Sequence, residues 1–166
     1  MPRYRCEASA YRFRTQRRAS MQSTHVHIIM KSHVAHMSDV SASIQDMCIL
    51  YTDDVTAYHI DLCLSEALHN IIEHAYRYET THDIAIHFFI DQQGCSLSIM
   101  DYGQPMHVAQ QHYVNQTTRC EAETEASHGQ ALSERGRGLL IIKQVMDEVS
   151  YITCSGQNTL TIQKRF

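Results

Sequence analysis

The apolar positions along the chain fall into short alternating runs separated by two longer helical ones. Val26, Ile28 and Ile29, within His25 to Lys31, read as a first strand. Ser38 or Asp39 is then placed to cap a helix running to about Leu50. A second helical pattern follows the Asp53-Asp54 cap, carries Tyr58, Leu62, Leu64, Leu68, Ile71 and Ala75, and ends near Tyr78 before Thr80-Thr81. Ile84, Ile86, Phe88 and Ile90 alternate with other residues, and Leu97 and Ile99 resume the alternation beyond Gln92-Gln93-Gly94, which predicts a hairpin. Residues 103–135 are polar and weakly periodic, a long loop of the kind that signals function in a compact domain. Gly138 opens a helix from Leu139 to about Asp147. Val149, Tyr151 and Thr153 then alternate, Ser155-Gly156-Gln157-Asn158 makes a turn, and Leu160 and Ile162 alternate beyond it. The order β-α-α-β-β-loop-α-β-β predicts an α+β fold, a two-layer α/β sandwich with helices on one face of a mixed, mostly antiparallel sheet.

Composition narrows this further. A chain of 166 residues holds one well-buried core, assigned to residues 22–166. Residues 1–21 carry Arg3, Arg5, Arg12, Arg14, Arg17 and Arg18 against Glu7 alone, and are expected to form a disordered basic arm. A start codon read upstream of a true start at Met21, or a transit peptide, are the alternatives. With 43% hydrophobic and 19% charged residues, the bulk of the chain is too apolar for disorder. A net charge of -4 gives no global pull towards nucleic acid. No apolar run approaches the ~18 residues of a membrane span. Cys6, Cys48, Cys63, Cys95, Cys120 and Cys154 form no CxxC pair and fit a reducing cytoplasm, where the protein is expected to reside. His25 and His27 can place two imidazoles on one strand face, but no carboxylate or thiol cluster joins them at ligand spacing. Scattered surface and core histidines are therefore the preferred reading of the 12 in the chain.

Three segments can carry chemistry. At 100° per residue Glu66, Asn70 and Glu73 share one side of their helix, roughly opposite Leu64, Leu68, Ile71 and Ala75. The competing reading is a solvated helix face. Asp101-Tyr102-Gly103 puts a carboxylate where a strand ends, able to accept from an exocyclic amine, beside a glycine that lets a flat ring approach; taken alone, the segment reads first as a plain strand-ending turn. Ser133-Glu134-Arg135-Gly136-Arg137-Gly138 leads into a helix whose first amides lack internal partners, so it can wrap an anion, with Arg135 and Arg137 adding charge-assisted contacts. A permissive loop is the alternative.

Taken in order, Glu66-x-x-x-Asn70-x-x-x-His74, Asp101-x-Gly103 and Gly136-x-Gly138-Leu139 resemble the N, G1 and G2 boxes of the GHKL ATPase superfamily. Ser65 to Tyr76 and Arg137 to Val149 most resemble the anti-sigma factor serine kinases within it. The resemblance implies a Bergerat fold that binds ATP and Mg2+ under a lid formed by residues 104–135. It implies that Asn70 binds magnesium, Asp101 binds the adenine amine, and Glu66 is the general base. Gly103, Gly136 and Gly138 would shape the pocket, with His74, Arg137 and Leu139 in the same boxes. Arg135 would lie near the terminal phosphate and Thr159 near the adenine. Gln104-Pro105 departs from the pattern, because many relatives have a second glycine after the G1 glycine.

The implied function is an ATP-dependent serine/threonine protein kinase that phosphorylates a STAS-type anti-anti-sigma protein and sequesters a sigma factor, as a homodimer without direct contact to nucleic acid or membrane. The alternative is an ATP-binding regulatory module that controls a partner without phosphotransfer. The catalytic half of a sensor histidine kinase ranks third, because no dimerising helix with a phosphoacceptor histidine precedes the ATP motifs.

Overall fold

The computed structural model describes residues 23–116 and 137–166, together with the backbone of residues 11–17. Strands β1 (Tyr11–Arg17), β2 (Thr24–Lys31), β3 (Asp83–Asp91), β4 (Gly94–Asp101), β5 (Glu148–Cys154) and β6 (Gln157–Arg165) form one six-stranded sheet in the order β1-β2-β3-β4-β6-β5. Every pairing is antiparallel, so the mixed sheet expected from sequence becomes a wholly antiparallel one. Helices α1 (Met37–Cys48), α2 (Asp54–Asn70), α3 (Val108–Asn115) and α4 (Arg137–Val145) complete the α+β architecture. No helix among the described residues is long and apolar enough to cross a membrane.

Alternation along the strands explains why only one face is covered. Val26, Ile28 and Met30 on β2, Ile84, Ile86, Phe88 and Ile90 on β3, and Leu97 and Ile99 on β4 are all buried. Their neighbours in sequence point to the opposite face, as the two-residue period of a strand requires. From the helical layer, α1 contributes Val40 and Ile44, α2 contributes Ile60, Leu64 and Leu68, and α4 contributes Leu139 and Ile142. At 25 cal/mol per Å² of apolar surface, each fully buried large side chain contributes roughly 1.5–3 kcal/mol.

Several local details depart from the sequence reading. The expected disordered arm includes β1, whose backbone pairs with β2 from Tyr11↔Met30 to Arg17↔Thr24. Pairing there satisfies the hydrogen-bonding edge that β2 would otherwise leave open. Neither Ser38 nor Asp39 caps α1. The chain enters it through a 3-10 turn, Val34–His36, in which His33 accepts from the Ala35 amide at 3.0 Å, so Met37 is already helical. Asp53 does cap α2, accepting from the amides of Val55 and Thr56, both at 3.0 Å.

The helix expected to reach Tyr78 is α-helical only to Asn70. A π-turn, Ile71–Ala75, follows, in which Tyr76 donates to the Ile71 carbonyl at 2.9 Å. Arg77 (φ 51°) and Tyr78 (φ 64°) then turn the chain out. The β5–β6 connection is tighter than expected: Ser155 (φ 52°) and Gly156 (φ 81°) make a two-residue turn, which places Asn158 inside β6. Part of the polar loop is α3, closed by a capping box in which His107 accepts from the Ala109 amide while Gln110 accepts from the His107 amide.

Leu68 is fully buried between the sheet and the neighbouring helices. Leu68→Ala is expected to destabilise the fold by about 2–5 kcal/mol, measured by urea denaturation with an unchanged m-value.

Candidate functional site

Glu66 and Asn70 lie one turn apart near the end of α2, both half-buried. They are brought against α4 by a missing side chain. A Cβ on Gly138 would stand 2.5 Å from Glu66 Oε2 and 3.3 Å from Asn70 Nδ2, so glycine lets the start of α4 settle directly on the two polar groups. The Asn70 Nδ2 donor is buried and has no hydrogen-bond partner among the described residues. A buried amide left unsatisfied costs about 1–3 kcal/mol, a penalty that a ligand oxygen at this point relieves.

The π-turn that follows Asn70 shapes the next part of the site. It presents the Ala75 carbonyl to the Gln104 amide at 3.0 Å. At that approach a Cβ on Gly103 would fall 2.6 Å from the Ala75 oxygen and 2.7 Å from its Cβ. The glycine is thus required by the close contact of its loop with the helix end. The sequence reading had attributed it to the approach of a flat ring.

Asp101 ends β4 with only 4% of its surface exposed. Its Oδ1 accepts from the Gly103 amide at 2.8 Å and from Asn158 Nδ2 at 2.9 Å. Burial raises its pKa above the usual carboxylate value, and the hydrogen bonds from Asn158 and Gly103 pull it back down. Both described hydrogen bonds go to Oδ1, which leaves Oδ2 as an acceptor for an amino group in the adjoining cleft. Asn158 also donates to the Gly103 carbonyl at 3.1 Å and accepts from the Thr153 hydroxyl at 3.0 Å.

Asn158 was not foreseen as a site residue, and it corrects the assignment of Thr159. Asp101 pairs with Asn158, and Met100 with Thr159. Asn158 and Leu160 are buried on the helix-covered face, so Thr159 points to the opposite side of the sheet, away from Asp101.

Between α2, the π-turn and the 104–107 segment lies a cleft of about 310 Å3, lined by Asn70, His74, Asp101, Met106, Leu139 and Tyr151 among others. That volume is at the lower end for small-molecule sites, and the mixture of apolar wall and few convergent polar groups is typical of them. The Tyr151 hydroxyl accepts from the Met106 amide at 3.0 Å and fixes one wall. Arg77 donates to Gln104 Oε1 at 2.9 Å across the mouth. Beyond it, Lys143 of α4 donates to three carbonyls at the end of α3: Tyr113 (2.7 Å), Val114 (3.3 Å) and Gln116 (2.6 Å).

Of the residues singled out from sequence, Asn70, His74, Asp101 and Leu139 line this cleft, while Glu66, Gly103 and Gly138 form its supports. Arg137 begins α4 and is exposed. Arg135 and Gly136 lie outside the described residues, as does most of the expected lid, 104–135. Sequence reasoning missed Asn158, Lys143, Tyr151 and the His107–Gln110 capping box. Only the last had a local signal, two residues at capping-box spacing.

A two-layer fold with a buried carboxylate at one end of its cleft and a glycine-opened helix start against Asn70 defines a nucleotide-binding domain. The family model described as the histidine kinase-like ATPase domain matches residues 30–164. The chain belongs to that family, whose members bind ATP. Comparison with curated proteins gave no match.

Two outcomes test the site. Gly103→Ala is expected to weaken ATP binding at least about tenfold in calorimetric titration, because the added carbon meets backbone that cannot yield without moving the Asp101 loop. The pH dependence checks Asp101. Binding that uses its ionised form is lost as pH falls through a pKa lying above the usual carboxylate value. Asn158→Ala removes a contact that lowers this pKa, so the acid fall-off in ATP affinity is expected to move to higher pH; an unmoved profile would show that Asn158 does not control the carboxylate.

Proposed function

We propose that this domain is an ATP-dependent serine/threonine protein kinase of the anti-sigma factor type, acting in the cytoplasm on a STAS-type anti-anti-sigma protein and sequestering a sigma factor. The observation that carries the reading is the meeting of Glu66, Asn70 and Gly138 where α2 and α4 pack beside the cleft. A passive nucleotide pocket needs the amide donor and the glycine. It has no need of a carboxylate one turn away, beside the start of the phosphate-facing helix.

Within this reading the hydroxyl of the substrate residue approaches the terminal phosphate of ATP. Its oxygen forms the new bond to phosphorus as the bond to the bridging oxygen of ADP breaks, and its proton passes to the Glu66 carboxylate. Asp101 fixes the adenine end through Oδ2, held in place by Asn158 and Gly103. Asn70 Oδ1 and the nucleotide phosphates would hold Mg2+, which would supply positive charge against that of the transferring phosphoryl group. The Asn70 Nδ2 donor, without a partner among the described residues, supports a phosphate oxygen beside it. The proposal also includes a homodimer, as the resemblance to the anti-sigma kinases implies.

Glu66→Gln keeps the size and hydrogen-bonding capacity of the side chain and removes its basicity. With labelled ATP, Mg2+ and a STAS-domain substrate, phosphotransfer is expected to fall by about 10²–10⁴-fold with ATP affinity preserved. Transfer at the wild-type rate would remove Glu66 as base. Tight ATP binding with no transfer by the wild-type protein would favour the regulatory module instead.

A further inference from the structure

The sheet face turned away from the helices carries a group of side chains that the nucleotide site does not use. His25 and His27 on β2, His87 and Phe89 on β3, and Ser96 and Ser98 on β4 surround a depression of about 350 Å3. The register pairs His27 directly with His87, and His25 with Phe89. The two pairs differ in kind. His25 tilts against the Phe89 ring with centroids 4.5 Å apart, so it is held by an aromatic surface. His27 and His87 meet edge to face at 4.3 Å with an interplanar angle of 87°.

Directly opposed residues of neighbouring antiparallel strands have Cβ atoms about 4.5–5.5 Å apart, a span that two imidazoles can bridge through one metal ion at ~2.0–2.1 Å per nitrogen. Among the described residues neither ring takes part in a hydrogen bond or an ion pair, and the outer torsion of histidine has a broad energy well. Turning both rings to aim one nitrogen of each at a common point therefore breaks no polar contact among the described residues.

We propose that His27 and His87 form a bis-imidazole site for a divalent late transition-metal ion of the Ni2+, Cu2+ and Zn2+ group, with water completing its shell. Imidazole nitrogen selects these ions, whereas Mg2+ requires oxygen, so the site is chemically separate from the nucleotide cleft. Two protein ligands is the number the geometry gives, because no group of three or more histidine, cysteine or acidic side chains converges among the described residues. The ligating form of histidine is the neutral one. Burial, and then the neighbouring His27, lower the pKa of His87, which favours that form at neutral pH. An ion bound there clips β2 to β3 on the side of the sheet that no described helix supports.

The test uses the full 166-residue chain without an affinity tag, with Cys6, Cys120 and Cys154 changed to Ser so that thiols do not compete. Calorimetric titration with Ni2+ in a non-chelating buffer is expected to show one ion per chain and a metal-dependent rise in Tm. Losing one of two linked ligands forfeits the chelate, so His27→Asn and His87→Asn should each weaken binding about a hundredfold. His25→Asn should stay within about threefold of the parent. Equal losses in all three variants would mean unspecific binding by surface imidazoles and overturn the pairing, as would undiminished binding by His27→Asn and His87→Asn. Circular dichroism of each variant guards against misfolding, and His87→Gln repeats the substitution with a different neutral side chain.

Discussion

The approach of α4 to α2 at Gly138 governs the arrangement of the site. A Cβ there would lie 2.5 Å from Glu66 Oε2, the movable end of that side chain, and 3.3 Å from Asn70 Nδ2, so the bare glycine leaves both polar groups where they are at the contact of the two helices. The contact does two things. It brings the start of α4, with the positive end of its dipole, beside a carboxamide and a carboxylate. It also withdraws Asn70 Nδ2 from solvent without giving it a partner among the described residues. Polar groups buried in this way are costly in a folding sense and informative in a functional one, since they mark where a ligand oxygen fits.

The Asp101 end of the cleft rests on a second constraint, the burial of that carboxylate. Desolvation favours the neutral acid, while donors from Asn158 and Gly103 favour the carboxylate. Asn158 is itself secured by the Thr153 hydroxyl, so the carboxylate is oriented through β6 and, behind it, β5. This end of the cleft is therefore held by strand register together with the seat of Gly103 on the π-turn, whereas the other end depends on the packing of α4 on α2.

What the sequence disclosed follows from this division. Residues whose role depends on local spacing were readable: Glu66 and Asn70 one turn apart, Asp101 at a strand end, Gly138 at a helix start. Residues whose role depends on register were not. The family resemblance points to Thr159, and only the two-residue turn at Ser155-Gly156 and the register beyond it put Asn158 on the same face as Asp101. His87 could not be placed opposite His27 before the pairing of β2 with β3 was known. A helical wheel at 100° per residue cannot reveal a π-turn, so the close seating of Gly103 on Ala75 was also hidden. The arginine density of residues 11–17 masked a strand whose partner edge lies elsewhere in the chain.

Lys143 ties the two ends of α4 to different parts of the site. At one end Gly138 rests on Glu66 and Asn70; about a turn and a half further along, the Lys143 ammonium is shared by three carbonyls at the end of α3. Cations are favoured at a helix C-terminus because the last carbonyls lack internal partners, and here three of them offset the cost of burying the charge. Burial nonetheless lowers the Lys143 pKa, and the ammonium also lies over the Tyr113 ring, 5.0 Å from its centroid. Because Lys143 belongs to the same helix as Gly138, α4 cannot shift at its start without carrying α3 along or giving up these hydrogen bonds. The segment that leaves the cleft through Gln104 and α3 is thus coupled mechanically to the helix whose first turn meets Asn70.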